Sequence, residues 1–361
     1  VMSPAAPDDE GDPFAPIRNS ELIGQDKAEQ TFLDAFNSGR LPHAWLLSGP
    51  KGVGKATLAH RITRFLLVHG NAGGGDEGPG LFGDDLPATV PDSLTTDLDD
   101  LVCKRLIAGG HTDFLCIERA VNEDTGARKR DISIDQVRAI GNLFSLTPGE
   151  GGWRVVVIDS VDDLNDNGAN AVLKMLEEPP SRTVILLVSH NPGRLLPTIH
   201  SRCRHLSLPP LDGPSVEALL AAQAPERGLD LGPEEHALLM QLAGGSIGRA
   251  FTLADDGGLD LYRDMTAILE TLPNLDIGML HKLGDLVARD RGGDRFRTLA
   301  ELIDWSLVDR IRGGLSSSAL EGWFRVWEKA NRLFREAEGL SLDRKQVVLE
   351  VFLSIEEAAR G

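Results

Sequence analysis

One short run of residues constrains the fold of this chain more than any other. Residues 49–57 read GPKGVGKAT and fit the pattern G-x-x-x-x-G-K, with Lys55 as its lysine. An apolar run over 44–47 precedes it, and an amphipathic stretch over 57–68 follows it. A strand, a glycine-rich loop and a helix in this order predict an α/β fold whose loop cradles phosphates. The loop residues expected to contact a nucleotide are Gly49, Gly52, Val53, Gly54, Lys55, Ala56 and Thr57.

Further apolar runs predict a parallel sheet behind this loop. They are nearly continuous rather than alternating, which is typical of strands covered by helices on both faces. Stretches with helical spacing separate two pairs of these runs. The predicted strands are residues 114–117, 155–158, 184–188 and 205–208, with helices over 134–140 and 170–176.

The rest of the chain predicts a division into several parts. Residues 1–16 are acidic and Pro-rich, so we expect them to be disordered. Residues 17–209 form the nucleotide-binding-type domain, which is interrupted at 71–110 by an acidic, loop-rich insertion with one short helix near 98–107. After the sheet, residues 210–258 predict a small domain of three short helices, and 259–361 a larger helical domain.

Composition excludes several classes of protein. Lys plus Arg is 37 and Asp plus Glu is 55, so a net charge of -18 argues against coating duplex DNA through the whole surface. Cys103, Cys116 and Cys203 form no C-x-x-C pair, which disfavours a disulfide framework and a zinc site. The N-terminus lacks the pattern of a targeting peptide, and no apolar run approaches a membrane span. We therefore expect a cytoplasmic protein with no zinc and no membrane partner.

Two positions of the predicted nucleotide site depart from what ATP hydrolysis requires. A hydroxyl that binds Mg²⁺ should follow the lysine, but the residue is Ala56, and Thr57 is one position late on the helix. Asp159 ends a strand where a metal-binding aspartate is expected, but Ser160 replaces the glutamate that would polarise water. Asp162 has the ordinary interpretation of a helix-start acid. These vacancies predict a site that binds ATP or ADP without hydrolysis, or does not bind them.

Two further polar residues and one helical stripe have open interpretations. Ser189 ends a predicted strand and is either a γ-phosphate sensor or an ordinary strand-end serine. Arg249 begins a helix of the small domain and is either a nucleotide sensor or solvated. Apolar residues of the last domain recur at helical spacing, typical of a core and less often of a partner surface. They are Leu320, Trp323, Phe324, Trp327 and Phe334, and then Val347, Val348, Val351, Phe352 and Ile355.

Four stretches of the chain resemble the bacterial clamp-loader AAA+ proteins of DNA polymerase III. Residues 43–67 and 171–208 resemble the family's phosphate loop and its sensor region, and 195–203, LLPTIHSRC, is the most specific match. Residues 22–25 resemble an N-terminal I-G-Q box, and 244–250 a sensor-2 helix. The resemblance implies a P-loop AAA+ domain followed by a helical lid domain and an all-α collar domain.

Within this family, the two vacancies resemble the delta-prime branch, which has lost ATPase residues and keeps S-R-C. That resemblance implies that Arg202 acts on a neighbouring subunit's ATP site as an arginine finger. It also implies partners: gamma/tau and delta subunits, and, through the assembled complex, the sliding clamp and primer-template DNA. Two alternatives stay open: an ATP-hydrolysing gamma/tau-type motor, and a stand-alone nucleotide-binding regulator.

Overall fold

The computed structural model describes residues 12–70, 90–121, 129, 131–149, 152–255, 257–290, 292–313, 317–340 and 342–360. Within it the chain divides into two compact units, Val1–Val216 and Glu217–Gly361.

The first unit is built on a parallel five-stranded sheet. Its spatial order is β2-β3-β4-β1-β5, so the strand before the glycine-rich loop lies between two later strands. All four predicted later strands and the strand before the loop are present. The strands are β1 (Ala44–Ser48), β2 (Phe114–Glu118), β3 (Arg154–Asp159), β4 (Thr183–Ser189) and β5 (Arg204–Ser207).

Side chains cap the N-termini of three helices of the first unit, α3, α4 and α5. Ser133 and Gln136 form a reciprocal capping box at α4, and Asn165 caps α5 by accepting from Gly168 N. The helices are α1 (Asp26–Asn37), α2 (Lys55–His69), α3 (Leu101–Ile107), α4 (Ile134–Ser145), α5 (Asp166–Glu177), α6 (Pro197–His200) and α7 (Gly213–Glu226), the last crossing into the second unit.

Each face of the sheet carries its own hydrophobic core. Alternate residues of β3 point to opposite faces, so Val155 and Val157 join a cluster with α1 and α2, whereas Val156 and Ile158 join one with α4 and α5. Every residue of β4 is buried. The predicted parallel sheet with helices on both faces is therefore confirmed.

The segment before α1 is not helical, although apolar residues recur at helical spacing over residues 20–36 and would predict a helix there. Two arginines of α2 hold it instead. The guanidinium of Arg64, itself only 2% exposed, donates to Ile17 O and Asn19 O, both at 2.8 Å. Ala15 is also buried, so the ordered chain begins earlier than the predicted disordered tail implied; residues 1–11 lie outside the described residues.

The acidic insertion is only partly described, because residues 71–89 lie outside the described residues. The predicted short helix is present as α3, capped by the Asp100 side chain. Leu94 and Leu106 are each 1% exposed and pack in the cluster with α2. These two leucines anchor the described part of the insertion to the core, whereas most other residues between 90 and 110 are exposed or half-buried.

The described elements of the second unit are all helices, joined by short turns. The predicted apolar stripe over residues 320–334 is only partly buried. Trp323 and Phe334 are buried, whereas Leu320 and Phe324 are 40% and 47% exposed. The later stripe on α14 is buried completely. The helices are α8 (Pro233–Ala243), α9 (Ile247–Asp255), α10 (Gly258–Glu270), α11 (Ile277–Arg289), α12 (Asp294–Arg312), α13 (Ser317–Leu340) and α14 (Arg344–Arg360). Among the described helices, none is long and apolar enough to cross a membrane.

Candidate functional site

The glycine-rich loop occupies the predicted place between β1 and α2. Gly49 is required there by packing, because a Cβ at this position would lie 2.0 Å from Leu208 O. Gly54 has a φ of 97°, which side chains rarely adopt, and its Cβ would meet the Leu22 side chain at 2.7 Å. The loop therefore packs between the residue that follows β5 and the N-terminal segment, and both contacts restrict these two positions to glycine.

Lys55 is folded back onto its own loop. Its side chain is nearly buried, and Nζ donates to Gly49 O at 2.8 Å and also to Pro50 O. Burial lowers the pKa of Lys55 to about 8, against the opposing attraction of Asp159 and Asp162. The ammonium group that the sequence assigned to phosphates thus has two carbonyl partners within the chain.

The carboxylate of Asp162 accepts hydrogen bonds from four polar groups at the ends of β3 and β4. Its Oδ1 accepts from Ser189 Oγ at 2.9 Å and from Asn191 N at 3.1 Å. Its Oδ2 accepts from Ser160 Oγ at 2.7 Å and from His190 N at 2.6 Å. Burial alone would raise the pKa of Asp162, but these hydrogen bonds bring it below its usual value. The hydroxyl of Ser189, the candidate sensor, therefore donates its hydrogen bond to a carboxylate of the same chain.

The two departures seen in the sequence hold in the geometry. Ala56 and Thr57 follow Lys55 in the first turn of α2, and both are half-buried. Ser160 is 3% exposed and its hydroxyl bonds to Asp162, so it offers no base. The loop glycines and Lys55 are residue types that suit a phosphate group, whereas Ala56 lacks the metal-binding hydroxyl and Ser160 lacks the carboxylate that metal-assisted hydrolysis uses. Among the described residues, no cluster of three metal-ligating side chains forms.

Gln25 is a site-supporting residue whose role the sequence did not reveal. It is 2% exposed, and its amide Nε2 donates to Val53 O and to Pro209 O, both at 3.1 Å. It therefore ties the N-terminal box to the glycine-rich loop and to the segment after β5. The resemblance to an I-G-Q box is the signal that singled it out, but the contacts join residues far apart in sequence.

Arg202 lies away from the loop, in the turn between α6 and β5. Its Nη1 donates to Thr198 O at 3.0 Å, and its Nη2 pairs with Glu177 Oε1 at 2.6 Å. The Arg202 side chain remains 34% exposed. It has a carboxylate partner within the chain and is still accessible from outside.

Arg249 belongs to the second unit, at the start of α9. Its backbone N–H donates to Ser246 Oγ at 3.1 Å, and its Nη2 donates to Glu301 O at 3.4 Å. Its predicted sensor role stays a prediction.

The sheet strands β2 to β5 lie in a segment with a known family match. Residues 91–212 match the family described as DNA polymerase III, delta subunit. A protein of Pseudomonas aeruginosa, DNA polymerase III subunit delta-prime, is 37% identical over 205 residues, which cover 56% of this chain and 53% of that protein. This chain is a relative of the delta-prime subunit. The resemblance identified in the sequence is confirmed.

The chain is also similar to proteins that are named as a different subunit, gamma/tau. DNA polymerase III subunit gamma/tau of Mycobacterium tuberculosis is 25% identical over 294 residues, covering 81% of this chain and 46% of that protein. The chain thus spans about half the length of the curated relatives it matches. A solved gamma subunit-related protein of Thermotoga maritima shares 16% identity over 91% of this chain and 100% of that one, with a TM-score of 0.40, from which we draw no conclusion.

Proposed function

We propose that this chain is the delta-prime subunit of a DNA polymerase III clamp loader. In this role it is the stator of a pentameric ring with gamma/tau and delta subunits. The ring opens the sliding clamp and places it on primed DNA. The chain does not hydrolyse ATP itself, and it supplies Arg202 to the ATP site of a neighbouring subunit.

The observation that carries the proposal is the internal pairing of the groups that would otherwise serve a nucleotide. Lys55 Nζ bonds to Gly49 O, and Ser189 Oγ bonds to Asp162. These bonds would have to break before Lys55 and Ser189 could contact a nucleotide, at a site where Ala56 and Ser160 offer neither a metal-binding hydroxyl nor a base. A subunit with such a site is suited to a static part of a ring.

The exposure of Arg202 supports its action in trans. A planar guanidinium stabilises the charge that develops on a transferred phosphoryl group. Because Arg202 is one-third exposed, a neighbouring subunit can reach it. The ATP bound by that neighbour supplies the reactive phosphate, and this chain contributes only the positive charge.

The second unit supports a role in assembly. We assign residues 210–258 to a lid and 259–361 to a collar that joins the ring. Leu320 and Phe324 are one helical turn apart on α13 and both exposed, as expected of a partner surface. Leu320→Glu with Phe324→Glu should leave the chain folded and abolish its co-purification with the other subunits. Leu340→Glu, on the same helix at 70% exposure, is the matched control.

The alternative is an ATP-hydrolysing gamma/tau-type motor subunit. The long match to a gamma/tau protein, over 81% of this chain, favours it. An ATPase assay on the isolated chain separates the two. We expect background turnover that Lys55→Ala does not change; magnesium-dependent turnover that this variant abolishes would establish the motor function instead.

A further inference from the structure

The contacts of Arg202 fix its guanidinium from two directions. Glu177 is the last residue of α5 and accepts from Nη2 at 2.6 Å. Thr198 lies in α6, and its carbonyl accepts from Nη1 at 3.0 Å; Ser201 Oγ lies a further 3.4 Å from Nη1. The planar fork therefore has partners on both terminal nitrogens. Of its five N–H donors, two have no hydrogen-bond partner among the described residues and can still meet phosphate oxygens.

This ion pair contributes little to the stability of the fold. The Arg202 and Glu177 side chains are 34% and 48% exposed, and exposed pairs are weak because water competes for both groups. The position of Glu177 is also unfavourable, because carboxylates at a helix C-terminus face the negative end of the helix dipole. Glu178 adds a second acid at the same end. Stability therefore does not account for a carboxylate at residue 177.

We propose that Glu177 is a positioning residue that pre-orients Arg202 for a neighbouring subunit's ATP site. The inference rests on the proposed function of Arg202 as an arginine finger. A free arginine loses rotamer freedom when it docks against phosphate, whereas one already held by Glu177 and Thr198 O loses less. Glu177 acts through Arg202 and does not itself touch the nucleotide.

The main test measures DNA-stimulated ATP hydrolysis by the reconstituted ring. Glu177→Ala and Glu177→Gln should each lower kcat by about three- to tenfold and leave KM for ATP unchanged, since the orientation of the finger matters in the transition state. Glu177→Asp, which keeps the charge, should recover part of the rate. Glu178→Gln is the matched control, because it removes the same charge one residue away without removing a partner of Arg202. An unchanged or higher kcat in Glu177→Ala would overturn the proposal.

Arg202→Ala separates failure of this inference from failure of the proposed function. If Arg202→Ala lowers kcat and Glu177→Ala does not, the proposed role of Arg202 in the neighbouring ATP site is supported and the positioning role of Glu177 is wrong. If Arg202→Ala has no effect, both are wrong. Where both single variants lower kcat, the double variant should be no slower than Arg202→Ala alone, because Glu177 has no other target.

A second test uses the isolated chain and does not depend on the ring. Phenylglyoxal modifies accessible arginines, and the modified peptide containing Arg202 can be quantified by mass spectrometry. Phenylglyoxal should react with Arg202 faster in Glu177→Ala than in the wild-type chain or in Glu178→Gln, because the guanidinium has lost its carboxylate partner. Equal rates in the three proteins would show that the pair does not hold Arg202 in solution, and would overturn the proposal.

Discussion

Asp162 should stabilise the first unit more than any other exposed or half-buried carboxylate at the ends of the strands. Replacing it with alanine removes the acceptor of Ser189 Oγ, which is fully buried, and of His190 N, which is partly buried. Each buried donor left without a partner costs about 1–3 kcal/mol. Asn191 N is exposed and can bond to water instead. For two such donors we therefore expect Asp162→Ala to lower the free energy of unfolding by about 2–6 kcal/mol.

Urea unfolding combined with hydrogen exchange is the suitable assay. Because the chain has 5 tryptophans distributed over both units, fluorescence alone would mix their transitions. Exchange of peptides covering β4 reports the end of the sheet directly. The matched control is Asp163→Ala, which removes only the ion pair with Arg119 at 3.2 Å, a partly exposed contact that contributes about 0–1 kcal/mol.

The pH dependence gives a second check on Asp162. Its folded pKa lies below the ordinary value of 3.8, so its contribution is present above that value and is lost as the pH falls through the folded pKa. The stability difference between the unmodified chain and Asp162→Ala should therefore shrink in acid. If the two proteins unfold within 1 kcal/mol of each other at neutral pH, or if the difference grows in acid, the reasoning about this carboxylate is refuted.

Three further predictions concern the loop and the core. Gly49→Ala should destabilise the first unit by at least about 2 kcal/mol in urea unfolding, because its Cβ would lie 2.0 Å from Leu208 O. The free energy of unfolding of the wild-type chain, compared with that of Lys55→Met, should rise between pH 8 and 10.5. In this range Lys55 is protonated in the unfolded chain, with its ordinary pKa of 10.5, but has lost its proton in the folded chain, where its pKa is about 8. Cys103 should react with a thiol reagent far more slowly than free cysteine, because it is fully buried and burial raises its pKa.

The elements of the sheet could be predicted because their signal is local. A run such as 184–188 is apolar at every position, and only a strand covered on both faces buries all of it. The strand order could not be predicted in the same way, because β1 pairs with β4 across more than a hundred residues. The phosphate loop was recognisable because the spacing of its glycines is a local pattern, although Gly49 and Gly54 pack against Leu208 and Leu22, which are distant in sequence.

The contacts that define the site were beyond sequence reasoning, because they join distant residues through side chains. Asp162 had the interpretation of a helix-start acid, and nothing adjacent to it indicates that it accepts from Ser189, 27 positions later. The pair of Glu177 with Arg202 spans 25 positions. Leu94 lies within an acidic segment, and the charge of that segment predicted an exposed loop, but the Leu94 side chain is buried. In each case, residues of ordinary type acquire a role only from the fold.

The most direct measurement is the DNA-stimulated ATPase rate of a reconstituted ring that contains Arg202→Ala. We expect this variant to fold, to assemble and to lower the rate. The loss should be smaller than the roughly thousandfold or greater effect of a single arginine finger in other systems, because the ring has several ATP sites. Arg202→Lys should recover only part of it, since a point charge lacks the planar fork. If a ring that contains Arg202→Ala hydrolyses ATP at the rate of the wild-type ring, Arg202 does not act on a neighbouring subunit's ATP site.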